Sequence, residues 1–229
     1  MKLSEQTLKI LKNYATINPS ILLKEGNLLT TKSIISTIGA EATIEEEFPI
    51  EFALYDLVEF LNTLKLFNSP VLDFSNAENN YMEICEEENL DFRVRYTFTN
   101  KDFIKYPKKR AEFDETDIEF FLEDKTLESI MKASSVMQLP NVVIVPGDDD
   151  KHIGIEVTDL KNPSSNKFSL VLDAEVTPTN VKDYKLIFKM EYFKMIPGSY
   201  HVGIAGKHSA RFESDAVDYY IAQETTSRF

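Results

Sequence analysis

Two sets of side chains in this chain share one spacing and carry the most legible chemistry. Lys2, Glu5, Lys9 and Lys12 stand at offsets 0, 3, 7 and 10, and Lys125, Glu128, Lys132 and Ser135 repeat those offsets 123 positions later. At about 100° per residue these steps bring each set onto one side of a helix. A lysine stripe meets phosphates: point charges on flexible stems attract a polyanion without reading its bases. Such contact is weak, salt-sensitive and mobile. Either helix alone reads as an ordinary solvated face. The recurrence, in a chain of formal charge −13, favours a polyanion held at these faces and repelled elsewhere.

No other constellation supplies a reaction. His152, His201 and His208 are scattered, and neither HxxxH nor CxxC occurs, so no metal centre is expected. Cys85 is the single cysteine; it reads as a buried inert thiol on a strand, excludes an internal disulfide and fits a reducing cytosol. The seven glycines form no phosphate loop, with Gly203 and Gly206 in a strand and its turn, and no GxSxG elbow is present. The runs Glu45-Glu46-Glu47 and Glu86-Glu87-Glu88 alternate faces along a strand, do not converge as an acid–base pair, and read as solvated strand ends. The expectation is a protein with no catalytic residues, no cofactor and no metal. An acidic hydrolase fits least.

Composition narrows the class further. The 229 residues make one large domain or two of about 110. Hydrophobic content of 43%, with 16 Phe and 10 Tyr, supports a substantial core. No apolar run approaches the ~18 residues of a membrane span, and the opening MKLSEQ does not read as a signal peptide. A pI of about 4.8 excludes a general nucleic-acid coat. A local basic patch remains compatible with it, because screening confines a charge to about 8–10 Å.

Positioning the stripes takes two helices, and periodicity places them at residues 2–16 and 125–137. Strands are expected at 17–24, 28–38 and 45–52, with a turn at Glu25-Gly26-Asn27. Leu54, Leu57, Phe60/Leu61 and Leu64 set another helix at 53–67. Strands follow at 71–74, 81–85 and 91–98. The Lys-rich stretch 100–110, with Pro107 inside it, reads as a linker. The order then recurs, with strands at 117–122, 141–145, 152–157, 167–172 and 184–188. A short helix at 189–195 ends at Pro197-Gly198, and strands close the chain at 200–205, 210–213 and 217–222. Asp148-Asp149-Asp150 reads as a solvated hairpin tip. The class is α+β: two similar domains, 1–108 and 109–229, each with helices on one face of antiparallel sheets.

In this order the residues resemble the DNA polymerase sliding clamps (processivity factors) of tailed bacteriophages. The carrying segments are Met1-Lys2-Leu3-Ser4, Leu11-Lys12-Asn13-Tyr14-Ala15-Thr16-Ile17-Asn18, and Tyr55-Asp56-Leu57 with Phe60-Leu61 and Leu64. Near the end they are Met190, Lys194-Met195, Pro197-Gly198 and Tyr200, then Arg211-Phe212-Glu213 and Tyr219. The resemblance implies the DNA clamp fold and a homotrimer ring, closed head to tail around double-stranded DNA, with four helices per subunit lining the hole. It implies a tether for the replicative polymerase in viral DNA replication, in the cytoplasm of an infected bacterial host. A phage DNA polymerase, an ATP-dependent clamp loader and transcription factors are the implied partners, with no membrane. DNA-binding falls to Lys2, Lys9, Lys12, Lys125, Lys132 and Lys194. Subunit joints fall to edge strands carrying Arg93, Val94 and Arg95 on one side and Phe168 and Leu170 on the other. A partner pocket near the linker falls to Ile104, Tyr106, Met195 and Pro197, for which core packing is an equal reading. The sequence departs from the expected stripe at Ser135, and the helix at 53–67 offers Asp56, Glu59, Asn62 and Thr63 with only Lys65 basic. The alternative is a non-ring adaptor that scaffolds replication or transcription proteins.

Overall fold

The computed structural model describes residues 1–113, 116–149, 151–176, 183–205 and 209–229. Asp150, Gly206 and His208 lie outside the described residues. The chain divides into two compact units, Met1–Arg110 and Ala111–Phe229.

In the first unit, α1 (Glu5–Ile17) buries Thr7, Ile10, Leu11, Tyr14 and Ile17, an apolar face at helical spacing. Ser4 caps its start by accepting from the Thr7 amide at 3.2 Å. Glu46 completes the cap, accepting from the Ser4 amide and, at 2.6 Å, from the Thr7 hydroxyl. Burial works to raise the Glu46 carboxyl, but these hydrogen bonds outweigh it and hold it below the usual range. Pro19 bars continuation, and the buried Asn18 closes the end. The Asn18 amide nitrogen donates to Lys32 O and Lys105 O, both at 2.8 Å, which ties residue 105 to the end of a strand.

Three antiparallel groups complete the unit. β1 (Ile21–Leu23) pairs with β4 (Phe52–Leu54), and β2 (Gly26–Lys32) pairs with β3 (Ile38–Phe48). β5 (Pro70–Asp73), β6 (Tyr81–Glu86) and β7 (Asn89–Thr97) form a three-stranded meander. α2 (Leu57–Leu64) starts on Asp56, whose side chain accepts from Glu59 N at 2.9 Å, and buries Leu57, Phe60, Leu61 and Leu64. The meander meets it through rings: Phe60–Tyr96 centroids lie 5.4 Å apart and Phe67–Phe92 5.0 Å.

The second unit runs β8 (Ile118–Leu122), α3 (Asp124–Met137), β9 (Asn141–Pro146), β10 (His152–Thr158), β11 (Phe168–Val176), β12 (Leu186–Lys189), β13 (Tyr200–Ala205), β14 (Ser209–Glu213) and β15 (Asp218–Ala222). Its strands are antiparallel in the order β12-β9-β10-β11-β8-β13-β14-β15. α3 buries Leu127 and Ile130 and ends on Gln138 in the left-handed region (φ 55°), which lets the Leu139 amide reach Ser134 O at 2.9 Å.

The halves repeat one order. β1–β4 matches β9–β12, β2–β3 matches β10–β11, and β5-β6-β7 matches β13-β14-β15. Met1 exchanges hydrogen bonds with Leu72 of β5 as β8 pairs with β13. Several sequence expectations need correction. The helix at 53–67 shrinks to α2, because Phe52, Ala53 and Leu54 are consecutive buried residues and pair with β1. The strand pattern at 28–38 breaks at a tight turn held by the Ser33 hydroxyl, which accepts from Thr37 N and Ile38 N. β3 then runs unbroken through residues 39–44, alternating buried Ile38, Ala40, Ala42 and Ile44. The helix at 189–195 is a single 3₁₀ turn, Met190–Tyr192. Tyr192, Phe193, Met195 and Ile196 are all buried, and four apolar residues in five do not fit one helix face. Three α-helices therefore stand among the described residues, where the resemblance implied four.

Candidate nucleic-acid interface

The lysine stripes fall on the solvent sides of α1 and α3. Lys9 and Lys12 are exposed on α1, and Lys125 and Lys132 on α3, opposite the buried residues of each helix. Among the described residues none of the four amines has a carboxylate within ion-pair reach, whereas Lys101 and Lys167 are paired with Glu51 and Glu156. Glu5 and Glu128 are exposed on the same faces, so each stripe is mixed in sign. α1 carries two lysines and one glutamate; α3 carries two lysines with Asp124 and Glu128. Both are more basic than a chain at −13, and neither is strongly basic.

Two assigned lysines stand apart. Lys2 precedes the Ser4 cap, lies outside the helix and pairs with Glu87, so the α1 stripe contracts to Glu5, Lys9 and Lys12. Lys194 is exposed, just past the 3₁₀ turn, on no helix. α2 offers the opposite character. Asp56, Glu59, Asn62 and Thr63 line a shallow groove of about 450 Å³ with Val58 and Leu66, and Lys65 is tied to Asn62 at 2.8 Å.

The two strand edges expected to form subunit joints are both uncovered among the described residues. β7 is an outer strand of its meander. β11 pairs with β10 along Phe168–Asp173 and turns to β8 only at Ala174–Val176, which leaves the second edge of residues 168–173 without a described neighbour. Val94 is half-buried on β7, where Arg93 pairs with Glu83 at 3.2 Å and Arg95 covers the Tyr81 ring at 3.9 Å. Phe168 and Leu170 are half-buried, and Val171 is 65% exposed. Of the residues assigned to a partner pocket, Ile104 and Tyr106 are half-buried in the first unit. In the second, Met195 is a core residue and Pro197 is exposed.

Several other titratable groups serve the fold. Burial, with the charges of Glu83 and Asp73, pushes the Cys85 thiol up. Glu46 caps α1, and Glu86 accepts from the amides of Asn68 and Ser69 at 2.8 and 2.9 Å, so these two members of the acidic runs are structural and not merely solvated. His152 lies between Asp149 (2.5 Å) and Asp173 (3.2 Å); the hydrogen bond to Asp149 holds it above its usual value. Among the described residues no three His, Cys, Asp or Glu converge on a possible metal position. Among the described residues no helix is long and apolar enough to cross a membrane.

Comparison with known proteins points one way. Residues 2–106 match a family model described as DNA polymerase processivity factor, and residues 117–225 match one described as gp45 sliding clamp, C terminal. The chain is 31% identical to the sliding clamp of Escherichia phage RB69, covering 99% of this chain and 98% of that protein. It is 29% identical to the sliding clamp of Vibrio phage KVP40, over 98% and 99%, and 28% identical to that of Enterobacteria phage T4, over 99% and 98%. In three dimensions it is similar to a chain of the PCNA2–PCNA3 complex from Sulfolobus tokodaii, with a TM-score of 0.68 at 13% identity and 96% of both chains covered. Proliferating Cellular Nuclear Antigen from Entamoeba histolytica gives the same TM-score at 10% identity, over 95% of this chain and 94% of the other.

Proposed function

Because the chain belongs to the sliding clamp family of DNA polymerase processivity factors, we propose that three copies close head to tail around duplex DNA and tether a phage DNA polymerase to its template. The observation that carries this reading is the pair of open strand edges on a duplicated fold. A β7 edge on one copy and the free side of Phe168–Asp173 on the next differ from each other, so their pairing is heterologous and closes only when the rotation per copy divides a full turn. The joint takes Arg93, Val94 and Arg95 from one copy and Phe168 and Leu170 from the next. Two clamp domains, 1–108 and 109–229, make up each copy.

Lys9, Lys12, Lys125 and Lys132 face the duplex and contact phosphates; Lys2 and Lys194 are the further candidates for phosphate contact. Three copies carry −39, three times the −13 of one chain. A polyanion is thus repelled from the outer surface and tolerated at the lysines. The mixed sign of the stripes suits sliding, since tight contact would impede movement. The protein performs no catalysis; the enclosed DNA is retained by topology. Opening the ring falls to an ATP-dependent loader. The polymerase, and transcription factors in turn, dock on the clamp, with Ile104 and Tyr106 of the first unit and Pro197 of the second as separate candidate contacts, in the cytoplasm of the infected bacterial host.

Light scattering at micromolar concentration tests the assembly. A species near three times 26.3 kDa is expected. A strict monomer at every concentration overturns the ring.

A further inference from the structure

The outward face of the second unit's sheet bears a cleft of about 1120 Å³. Strand register arranges its floor. Glu175 of β11 stands opposite Glu119 of β8, which stands opposite Gly203 of β13. In the next row Phe121 stands opposite His201, and His201 opposite Glu213. Glu119 and Phe121 are two residues apart, so they share the face. The rings of Phe121 and His201 lie 4.9 Å apart, and Phe121 remains 48% exposed. Thr116 forms a wall: a Cβ on residue 203 would stand 2.6 Å from Thr116 Cγ2, so glycine there lets the wall seat against the strand. The Thr116 hydroxyl donates to Glu119.

The fold alone does not account for this floor. Like charges directly opposite across strands are destabilising, and neither Glu119 nor Glu175 has a basic partner among the described residues. Of the bases lining the cleft, Arg211 is committed to Asp218 at 2.7 Å and Glu213 at 3.2 Å, and His152 to Asp149 and Asp173. Lys151 and His201 are the further bases on the lining among the described residues, set against the carboxylates of Glu119, Asp173, Glu175 and Glu213. An acidic pair beside an exposed aromatic ring calls for a cation with an aromatic neighbour.

We propose that this cleft docks an extended segment of another protein that places an arginine two residues from an aromatic side chain. The guanidinium fork sits between Glu119 and Glu175, matching two carboxylates and donating to both. The aromatic residue, on the same face of the extended segment, covers Phe121 and His201. Charge complementarity selects this occupant, because the cleft is acidic on a chain of −13. The cleft sits where β11 is covered by β8, beside its open edge, and none of Ile104, Tyr106, Met195 and Pro197 lines it. The inference therefore stands apart from that partner pocket, while Asp173 joins the cleft to the segment proposed for ring closure.

Fluorescence anisotropy of the full chain with short labelled peptides tests it. A peptide containing Arg-Ala-Phe binds, and the matched Glu-Ala-Phe peptide does not. Phe121→Ala, and separately Glu119→Gln with Glu175→Gln, each weaken binding roughly tenfold, the scale of one lost aromatic–aromatic or charge-assisted contact. Glu45→Gln with Glu47→Gln removes equal charge at exposed positions elsewhere and leaves binding unchanged. Equal binding of both peptides overturns the proposal, as does equal weakening by the Glu45/Glu47 variant, which would mark bulk charge alone. It also fails if Phe121→Ala spares peptide binding and instead alters self-association, which would mark the cleft as a contact between copies. Melting temperature verifies that each variant is folded.

Discussion

Replacing Lys9 and Lys12 by Gln measures the proposed DNA contact in isolation. Both amines are exposed and lack carboxylate partners among the described residues, so no ion pair of the fold is lost. Stability should change by no more than about 0.5 kcal/mol. On a duplex each lysine–phosphate contact contributes about −0.9 to the slope of log K against log salt. Two lysines in three copies make six contacts at most, so the slope should become shallower by up to about 5. A duplex that touches one copy at a time gives a change nearer 2. The assay is an anisotropy titration of a short duplex across salt concentrations, with the trimer checked by light scattering. Lys65→Gln is the internal control: it loses a hydrogen bond to Asn62 on an acidic helix and should leave the slope alone. An unchanged slope for the Lys9/Lys12 variant, with the trimer intact, refutes the placement of α1 against DNA.

Three further outcomes follow from the structure. Glu46→Gln weakens the α1 cap and should cost about 1 kcal/mol at neutral pH. Because the folded Glu46 carboxyl sits below its usual value, this stabilisation is present above the unfolded pKa and is lost as pH falls through the folded one; thermal melts on the acid side should therefore converge. Tyr219, pushed up to about 12 by burial, accepts the Ile196 amide at 3.1 Å. Tyr219→Phe strands that buried amide and should cost about 1–3 kcal/mol in urea denaturation. Val171→Asp sets a charge on the exposed face of β11 and should shift the mass toward monomer while the monomer's own melting temperature is retained; an unaltered trimer would place the joint elsewhere.

The fold was legible where periodicity is strong. α1 and α3 bury one face at helical spacing, and the closing strands alternate cleanly, so these elements could be placed without tertiary information, although α1 starts at Glu5 and not at residue 2. β3 was less legible because its buried face is built from Ala40 and Ala42, and because Glu41 on the opposite face is only 6% exposed, held by Arg110 at 2.9 Å. Alternation through Ile38, Ala40, Ala42 and Ile44 was the available signal. At 189–195 buried Tyr192, Phe193 and Met195 interspersed with exposed Glu191 and Lys194 mimicked a helix; only the fold decides between helix and 3₁₀ turn. Lys2 matched the stripe by spacing alone, since spacing cannot register that Ser4 starts the helix and Glu87 captures the amine. The outward row of Glu119, Phe121, His201 and Glu175 was hidden because strand register, not sequence distance, assembles it.

Ring closure around DNA is tested most directly by retention on circular DNA followed by linearisation. After loading, the protein should remain on closed circles through a high-salt wash and leave once one double-strand cut is made. Persistence on the linear product would show that contacts, not topology, hold it, and would contradict the account.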